Sequence, residues 1–254
     1  MAKTPPDNSE PLIIGHRGAA GLAPENTLRA FQAAIDVGAD GVELDVHLTL
    51  DSIPLVLHDS TLDRGTNGNG PVSNYTFDEI NEIGFAGIDD PIPNLDEVLK
   101  LLEPTSLLVN IEIKNNHLNR PYEGIEAIVE KSLTEAKMLD RAVISSFNWA
   151  QVSSFLKIAR PRLSLGLLGG GGVKSTEEIL ASLNKAMGIG FDGICFPVEY
   201  LPQKQLPENI RTKIWVYAAN DKISLRRALI ENPAGIITDR PNWGVEMRAE
   251  MRRG

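Results

Sequence analysis

Nine short apolar runs alternate with helix-like segments along the 254-residue chain, and this alternation constrains the fold more than any other feature. Each run has the length and composition of a buried strand and is bounded by residues that favour turns. The runs fall at residues 12–15, 41–46, 53–57, 107–113, 142–146, 163–168, 193–196, 214–218 and 235–238. Strands that alternate with helices predict βαβ units and a parallel sheet.

The second and third runs are too close together for a parallel connection. Parallel neighbours need a crossover of about a dozen residues or more, whereas only a turn around Asp51-Ser52 separates 41–46 from 53–57. These two runs are therefore predicted to form an antiparallel hairpin, which returns the chain toward Glu43 and Asp45. Eight strands then remain for a (β/α)8 barrel, a fold for which about 250 residues is typical.

Helical patterns fill most of the gaps between the runs. They cover residues 27–37, 76–83, 95–102, 123–136, 149–159, 176–187, 203–209 and 221–231. Thr27 is a predicted N-cap, and Asn94 with Glu97 has the spacing of a capping box. Residues 1–11 are polar and rich in proline, and we interpret them as a loose lead-in. We expect residues 1–254 to form one domain, with a small insertion within about residues 47–106 over the barrel mouth.

The composition argues against several classes of partner. The formal net charge is -9, so long-range electrostatics oppose nucleic acid and anionic membranes. No stretch approaches the roughly 18 continuous apolar residues of a membrane span, and the first residues lack the apolar segment of a secretory signal. The single cysteine, Cys195, lies in an apolar run and is interpreted as a core residue. We expect a cytoplasmic protein without stable membrane insertion, and the sequence does not indicate its oligomeric state.

Three carboxylates lie inside apolar runs, where an uncompensated charge is costly to bury. Glu43 and Asp45 are two residues apart, so they share one face of a strand. Glu112 repeats this arrangement in a later strand. A divalent cation would offset these charges, and three oxygen ligands suit Mg²⁺, Ca²⁺ or Mn²⁺ better than zinc. Ion pairs with Lys or Arg are the alternative explanation.

Basic residues and histidines accompany these carboxylates. Lys114 shares the face of Glu112, and Arg17 follows the first run. Each could bind a phosphate oxygen or form a salt bridge at the end of a strand. His16 and His58 also end apolar runs. An imidazole can give or take a proton in phosphodiester hydrolysis, although a single histidine in a strand is usually structural. The two together, beside carboxylates and an arginine, indicate a site for phosphate chemistry.

Other residues near this site have two interpretations each. Glu25 and Asn26 precede the first helix and either support the site from the first βα loop or belong to the helix start. Trp215 and Tyr217 share one face of a late strand and either wall a substrate pocket or pack against a helix. His47 alternates away from the carboxylates and should face outward. The glycine tract 169–172 lacks the Gly-Lys-Ser/Thr of a phosphate loop and is interpreted as a flexible loop.

Several motifs together resemble the glycerophosphodiester phosphodiesterases. They are His16-Arg17-Gly18, Pro24-Glu25-Asn26-Thr27, the segment 38–46 (GADGVELDV), His58-Asp59, Ile111-Glu112-Ile113-Lys114 and Thr238-Asp239-Arg240-Pro241, and they occur in the order of that family. The resemblance implies a (β/α)8 barrel with a small insertion after the second barrel strand. It also implies hydrolysis of a small-molecule glycerophosphodiester to sn-glycerol 3-phosphate and an alcohol.

The resemblance further implies residue roles and a cofactor. The implied metal ligands are Glu43, Asp45 and Glu112, the implied acid/base pair is His16 and His58, and the implied phosphate ligands are Arg17 and Lys114. The cofactor would be Mg²⁺ or Ca²⁺, with Mn²⁺ as a third candidate. In the mechanism that the resemblance implies, a glycerol hydroxyl attacks the phosphorus, and water then opens the cyclic phosphate. The late strand departs from the family pattern, which leaves the alcohol-binding pocket undefined.

Two alternatives stay open at this point. A lysophospholipase D-like phosphodiesterase would keep the barrel but would need an apolar groove for an acyl chain near the mouth. A non-catalytic protein would bind glycerophosphodiesters without turnover, although such a protein has no need of two proton-transfer groups.

Overall fold

The computed structural model describes residues 10–169, 175–202 and 206–253, and a closed parallel barrel lies at its centre. Its strands are β1 (Leu12–Gly15), β2 (Gly41–Leu48), β3 (Pro54–Val56), β4 (Leu108–Ile113), β5 (Ala142–Ser146), β6 (Leu163–Leu167), β7 (Gly193–Pro197), β8 (Ile214–Tyr217) and β9 (Gly235–Thr238). All of these except β3 belong to the barrel, and β1 closes it by pairing with both β2 and β9. The predicted (β/α)8 barrel is confirmed.

Helices surround the barrel in the βα alternation that the sequence predicts. They are α1 (Leu28–Asp36), α2 (Phe77–Ile83), α3 (Leu95–Leu102), α4 (Ile125–Glu135), α5 (Trp149–Ile158), α6 (Thr176–Ile189), α7 (Glu208–Arg211), α8 (Lys222–Glu231) and α9 (Pro241–Met251). Single turns of 3-10 helix occur at Val72–Asn74, Leu139–Arg141 and Val198–Tyr200. Within the described ranges, no helix combines the length and apolarity that a membrane crossing requires.

Strand β3 pairs with β2 in the antiparallel sense, with Val46 opposite Val56. Just beyond this pairing, the amide of Leu57 donates to the carbonyl of Asp45 at 3.2 Å. The predicted hairpin is therefore confirmed, and it returns the chain to the barrel mouth. The segment between β2 and α3 has a small apolar cluster of its own, formed by Leu55, Leu57, Leu62, Val72, Ile80, Phe85 and Ile92.

Local capping explains where two of the helices begin. The side chain of Thr27 accepts from the amide of Ala30, and Asn94 and Glu97 form both hydrogen bonds of a capping box, each at 2.9 Å. Both predicted helix starts are confirmed. Satisfying the free amides of a first turn in this way stabilises a helix by about 1 kcal/mol.

Helix α9 was not predicted from the sequence. Its residues mix charges with apolar side chains, so the 3.6-residue pattern is weak, and Pro241 in its first turn is the one clear start signal. Tertiary contacts hold this helix in place. The buried guanidinium of Arg248 donates to the carbonyl of Pro11 at 2.9 Å and pairs with Asp40.

Three sequence-based expectations reach beyond the described residues. The N-terminal lead-in lies largely within residues 1–9, most of the glycine tract lies within 170–174, and the start of the helix predicted at 203–209 lies within 203–205. The described helix in that last region begins at Glu208, after the Pro207 that precedes it.

Alternate residues of the barrel strands face opposite layers, as their period of two requires. On β2, Val42, Leu44 and Val46 pack outward into the apolar layer that contains Phe31 and Leu99 of the surrounding helices. The barrel interior holds a separate apolar cluster formed by Ile14, Val143, Leu165, Leu167, Cys195, Trp215 and Ile237. Cys195 is therefore a core residue, as expected. The polar residues of β2 and β4 lie above this cluster, toward the carboxyl ends of the strands.

Candidate active site

Three buried carboxylates converge where the carboxyl ends of β2 and β4 meet. Asp45 lies opposite Glu112 in the parallel register, and Glu43 shares the inner face of β2 with Asp45. One oxygen of each carboxylate lies within 4.8 Å of the other two. We call Glu43, Asp45 and Glu112 the acidic triad. Its three hard oxygen donors and concentrated negative charge fit a divalent cation such as Mg²⁺ or Ca²⁺.

Two basic side chains partly neutralise the acidic triad. The Nζ atom of Lys114 lies 2.9 Å from Asp45 and 2.5 Å from Glu112, and the Nε atom of Arg17 lies 3.4 Å from Asp45. The ion pairs of the alternative explanation therefore exist. They do not reach Glu43, which has no Lys or Arg side chain within 4.0 Å among the described residues. An ionised Glu43 would therefore add a buried negative charge that no Lys or Arg side chain in the described part of the chain offsets, and a bound cation would offset it.

Burial sets the protonation of the triad. It raises the pKa of Glu43 to about 8, and the nearby charge of Asp45 adds to this effect. Burial also raises the pKa of Glu112 above its ordinary value, despite the opposing charge of Lys114. For Asp45, the charges of Lys114 and Arg17 outweigh burial and hold the pKa below its ordinary value. Three ionised carboxylates at this separation need more positive charge than the two basic side chains supply.

Two residues of the first βα loop have a left-handed backbone conformation, and each donates a hydrogen bond to the acidic triad. Arg17 and Asn26 have φ values of 50° and 57°, which are uncommon for residues other than glycine. The amide of Arg17 donates to Glu43 at 2.9 Å, and the Nδ2 of Asn26 donates to Asp45 at 2.9 Å. Asn26 therefore supports a carboxylate of the triad, whereas the neighbouring Thr27 caps the first helix.

His16 lies directly after β1, and a carboxylate holds its ring. Its Nδ1 is 2.6 Å from Asp239, which follows β9, and its Nε2 is 4.0 Å from Glu43. Asp239 in turn accepts from the side chain of Asn220 at 2.6 Å. Burial lowers the pKa of His16, but Asp239 and Glu43 outweigh this and raise it above the ordinary 6.5.

His58 has a matching arrangement on the other side of the site. Its Nδ1 lies 2.5 Å from the carboxylate of Asp59, which pairs with the Nε of Arg64 at 2.5 Å. The same guanidinium donates to Glu25 at 2.9 Å, and Glu25 accepts from Arg17 at 2.7 Å. Arg64 thus connects Asp59, which contacts His58, to Glu25, which contacts Arg17. We call this chain of contacts the Arg64 bridge. Burial lowers the pKa of His58 below 6.5.

The prediction that His47 faces outward is wrong: it is two residues beyond Asp45 on β2, so it shares the face of the triad, and it is buried. Its Nδ1 is 2.9 Å from the hydroxyl of Tyr122, and its Nε2 is 3.1 Å from the carbonyl of His58. Since a carbonyl can only accept, Nε2 carries the proton and Nδ1 accepts from the phenol. Burial lowers the pKa of His47 to about 4.

The sequence reasoning assigned no role to several residues that contact the two site histidines or support those contacts. They are Asp59, Arg64, Asn220 and Asp239. Asp59 directly follows His58, and Asp239 directly follows a predicted strand. Both carboxylates follow strands that end at the barrel mouth, where the two histidines also lie. This position was the sequence signal that could have predicted the two histidine–carboxylate contacts. The contacts of Arg64 and Asn220 depend on loop conformations that no local pattern predicts.

A cavity of about 450 Å³ opens over the barrel mouth. The predicted residues His16, Arg17, Glu43, His58, Glu112 and Lys114 all line it. Tyr217 also lines this cavity, whereas Trp215 does not. Trp215 is 1% exposed and fills the barrel interior against Gly235, where an added Cβ would lie 2.5 Å from the indole ring. The structure therefore brings Tyr217 to the site and leaves Trp215 below it.

The fold and the site define a (β/α)8-barrel protein with a buried carboxylate cluster at the mouth of the barrel, and this cluster fits a divalent cation. The family model of the "Glycerophosphoryl diester phosphodiesterase family" matches residues 16–243, and the chain belongs to this family. It is 36% identical to a glycerophosphodiester phosphodiesterase of Caldanaerobacter subterraneus subsp. tengcongensis, over 96% of this chain and 98% of that protein.

Two solved structures show the same fold. A glycerophosphodiester phosphodiesterase from Agrobacterium tumefaciens superposes with a TM-score of 0.73 at 28% identity, over 93% of this chain and 99% of that one. A phosphodiesterase of Oleispira antarctica, solved in complex with the product sn-glycerol-3-phosphate, superposes with a TM-score of 0.77 at 22% identity, over 95% and 97% of the two chains. At 22% identity, the second likeness concerns the fold alone.

Proposed function

We propose that this chain hydrolyses glycerophosphodiesters to sn-glycerol 3-phosphate and an alcohol, with a divalent cation as cofactor. One observation carries the proposal: the acidic triad and two carboxylate-paired histidines line or underlie a single cavity. The Caldanaerobacter relative is named for hydrolysis of the same class of diester, which supports the substrate class.

The acidic triad would hold the cation, and the two basic residues would hold the phosphate. When bound, the cation supplies positive charge that polarises a phosphoryl oxygen and offsets charge that develops in the transition state. Arg17 and Lys114 line the cavity beside the triad and present N–H donors suited to phosphate oxygens. Asn26 holds Asp45 in place from the first βα loop.

The two histidines would exchange protons with the substrate. In each ring a carboxylate occupies Nδ1, which leaves Nε2 for the substrate. One imidazole takes the proton of a glycerol hydroxyl as that oxygen bonds to phosphorus. The bond from phosphorus to the alcohol breaks, and the other imidazole protonates the departing oxygen. The products of this step are a cyclic phosphodiester and the free alcohol.

The second step consumes water and restores both histidines. A water oxygen bonds to phosphorus and gives up a proton to the imidazole that became neutral in the first step. The ring P–O bond breaks, and the imidazolium protonates the glycerol oxygen that is released. The product is sn-glycerol 3-phosphate, and each histidine regains its starting protonation state.

A lysophospholipase D-like activity is the second candidate, and one observation favours it. A largely apolar groove beside α5 and α6 is lined by Trp149, Leu168 and Ile189, and it meets the site cavity at Phe147 and Leu167. An acyl chain of a lysophospholipid could lie along this groove while its phosphate occupies the site.

Release of sn-glycerol 3-phosphate from glycerophosphocholine and glycerophosphoethanolamine tests the proposal, with a chelator and with Mg²⁺, Ca²⁺ or Mn²⁺ added back. Cation-dependent release is expected. Release from lysophosphatidylcholine but not from the soluble diesters would favour the second candidate. Tight binding of the diesters without turnover would mean a binding protein instead.

The cation site has a readout that does not depend on turnover. A cation that binds only the folded chain adds about 2.7 kcal/mol of stability at a hundred times its dissociation constant, which raises Tm by roughly 5–10 °C. Glu112→Gln should abolish this rise. Glu246→Gln, on the exposed side of α9, should retain it. An equal rise in both variants would exclude the acidic triad as the cation site.

A further inference from the structure

The wall of the cavity that lies across the barrel from β2 combines two aromatic rings with a carboxylate. Phe147 follows β5, Glu199 follows β7 and Tyr217 ends β8, and all three line the cavity. The opposite wall presents Arg17 and Lys114 beside the carboxylates of the acidic triad. One side of the cavity therefore holds the proposed cation-binding and phosphate-binding groups of the site, and the other side holds one further carboxylate and two aromatic rings.

The two rings form a corner. Their centroids lie 6.2 Å apart, and their planes are perpendicular. The hydroxyl of Tyr217 donates to the carbonyl of Leu168 at 2.8 Å, which fixes the tyrosine ring. Phe147 is 49% exposed, so an apolar ring faces water at the edge of the site. A ligand group with an apolar surface would remove this exposure.

Glu199 adds negative charge to this corner. No Lys or Arg side chain of the described residues lies within 4.0 Å of its carboxylate. The carboxylate shares the cavity with both rings, because Glu199, Phe147 and Tyr217 all line it. A carboxylate beside two aromatic rings attracts a methylated ammonium, because the ring faces and the carboxylate are both negative and the methyl groups are apolar.

We propose that Phe147, Glu199 and Tyr217 bind the cationic end of an amino-alcohol head group, so that the enzyme prefers diesters of choline-type alcohols to diesters of neutral alcohols. This inference rests on the proposed function, since it concerns the alcohol half of the same substrate. The two walls match the charges of such a diester: the phosphate lies toward Arg17 and Lys114, and the ammonium lies toward Glu199. The volume of about 450 Å³ is within the range of small-ligand sites.

The test compares glycerophosphocholine with its carbon isostere, the 3,3-dimethylbutyl diester, which has the same shape and no positive charge. The wild-type protein is expected to show kcat/KM about tenfold higher for the choline diester. Glu199→Gln should reduce this ratio to roughly two- or threefold, because kcat/KM for the choline diester falls more than kcat/KM for the neutral diester. Phe147→Leu should also reduce the ratio, because one wall of the corner is lost. Glu246→Gln is the matched control and should keep the wild-type ratio.

Two results would overturn the inference while leaving the proposed function intact. One is equal kcat/KM of the wild-type protein for the two diesters. The other is an equal loss of kcat/KM for both diesters in Glu199→Gln. That result would mean that Glu199 contacts the glycerophosphate half, which the two substrates share. Failure of both diesters to release sn-glycerol 3-phosphate would contradict the proposed function.

In that last case, calorimetric binding of phosphocholine and of 3,3-dimethylbutyl phosphate still tests the corner. Tighter binding of phosphocholine that Glu199→Gln removes would support the inference. Equal binding of the two compounds would overturn it.

Discussion

The buried imidazole of His47 donates a hydrogen bond to the backbone carbonyl of His58, with 3.1 Å between Nε2 and the oxygen. Tyr122 completes the arrangement by donating to Nδ1 at 2.9 Å. Both contacts use the neutral ring. A buried residue near the carboxyl end of β2 thereby fixes the chain at the point where it presents His58 to the cavity, and this support depends on pH.

The pH dependence of stability follows from the lowered pKa of His47, which burial shifts from 6.5 to about 4. Between these values the unfolded chain binds a proton that the folded chain does not, so stability falls as the pH drops through this window. The full window corresponds to up to about 3 kcal/mol. Denaturant unfolding at about pH 7.5 and about pH 5 measures the loss.

His47→Phe isolates this contribution because it removes the titrating group. The variant should be less stable than the wild type at about pH 7.5, since the Tyr122 hydroxyl and the His58 carbonyl lose a partner. Its stability should depend less steeply on pH. Parallel pH profiles for the two proteins would contradict the assignment.

Removal of either site histidine should reduce turnover with little effect on folding. His16→Ala and His58→Ala are each expected to lose about 10²–10⁴-fold in kcat, because each removes one proton-transfer group. Circular dichroism and Tm check that the barrel is intact. His117→Ala is a control, since His117 is exposed in the loop after β4. Turnover near the wild-type rate in either site variant would exclude that histidine from proton transfer.

Arg64 is expected to act as a positioning residue through the Arg64 bridge. Arg64→Ala should lower kcat by about tenfold, because Asp59 and Glu25 lose their common partner and no longer hold His58 and Arg17 firmly. Arg64→Lys, which keeps the charge but not the planar fork, should recover part of this loss. The side chain is 57% exposed, so Tm should change little.

The matched control for Arg64 is Arg29→Ala. Arg29 also pairs with an aspartate, Asp90 at 2.6 Å, but does not line the cavity. Its removal should leave kcat unchanged. Equal kcat values for the two alanine variants would show that the Arg64 bridge does not position the site.

Gly235 is required for the packing of the barrel interior. An added Cβ would lie 2.5 Å from the indole of Trp215, so Gly235→Ala must displace either the ring or β9. We expect a loss of about 1–3 kcal/mol in denaturant unfolding. Gly188→Ala is the control, because no atom lies within 4 Å of its added Cβ and alanine favours the helix. A neutral effect of Gly235→Ala would mean that the interior is loosely packed.

Local patterns in the sequence were enough to predict most of the elements and the inner face of the acidic strands. The period of two along β2 and β4 placed Glu43, Asp45 and Glu112 on the inner face, and the short turn around Asp51-Ser52 required a hairpin. These features depend on residues close together in the chain, so local patterns reveal them. Helix α9 was missed because its position depends on Arg248 and its contacts with residues more than 200 positions away.

Which side chains meet, and how deep each one lies, depends on how the strands assemble into the closed barrel. Asp239 reaches His16 across 223 positions because β9 and β1 are neighbours in the closed barrel. Trp215 and Tyr217 share a face, yet one fills the interior and the other lines the cavity. Periodicity fixes the face of a residue but not its height along the barrel axis, which depends on strand register and closure.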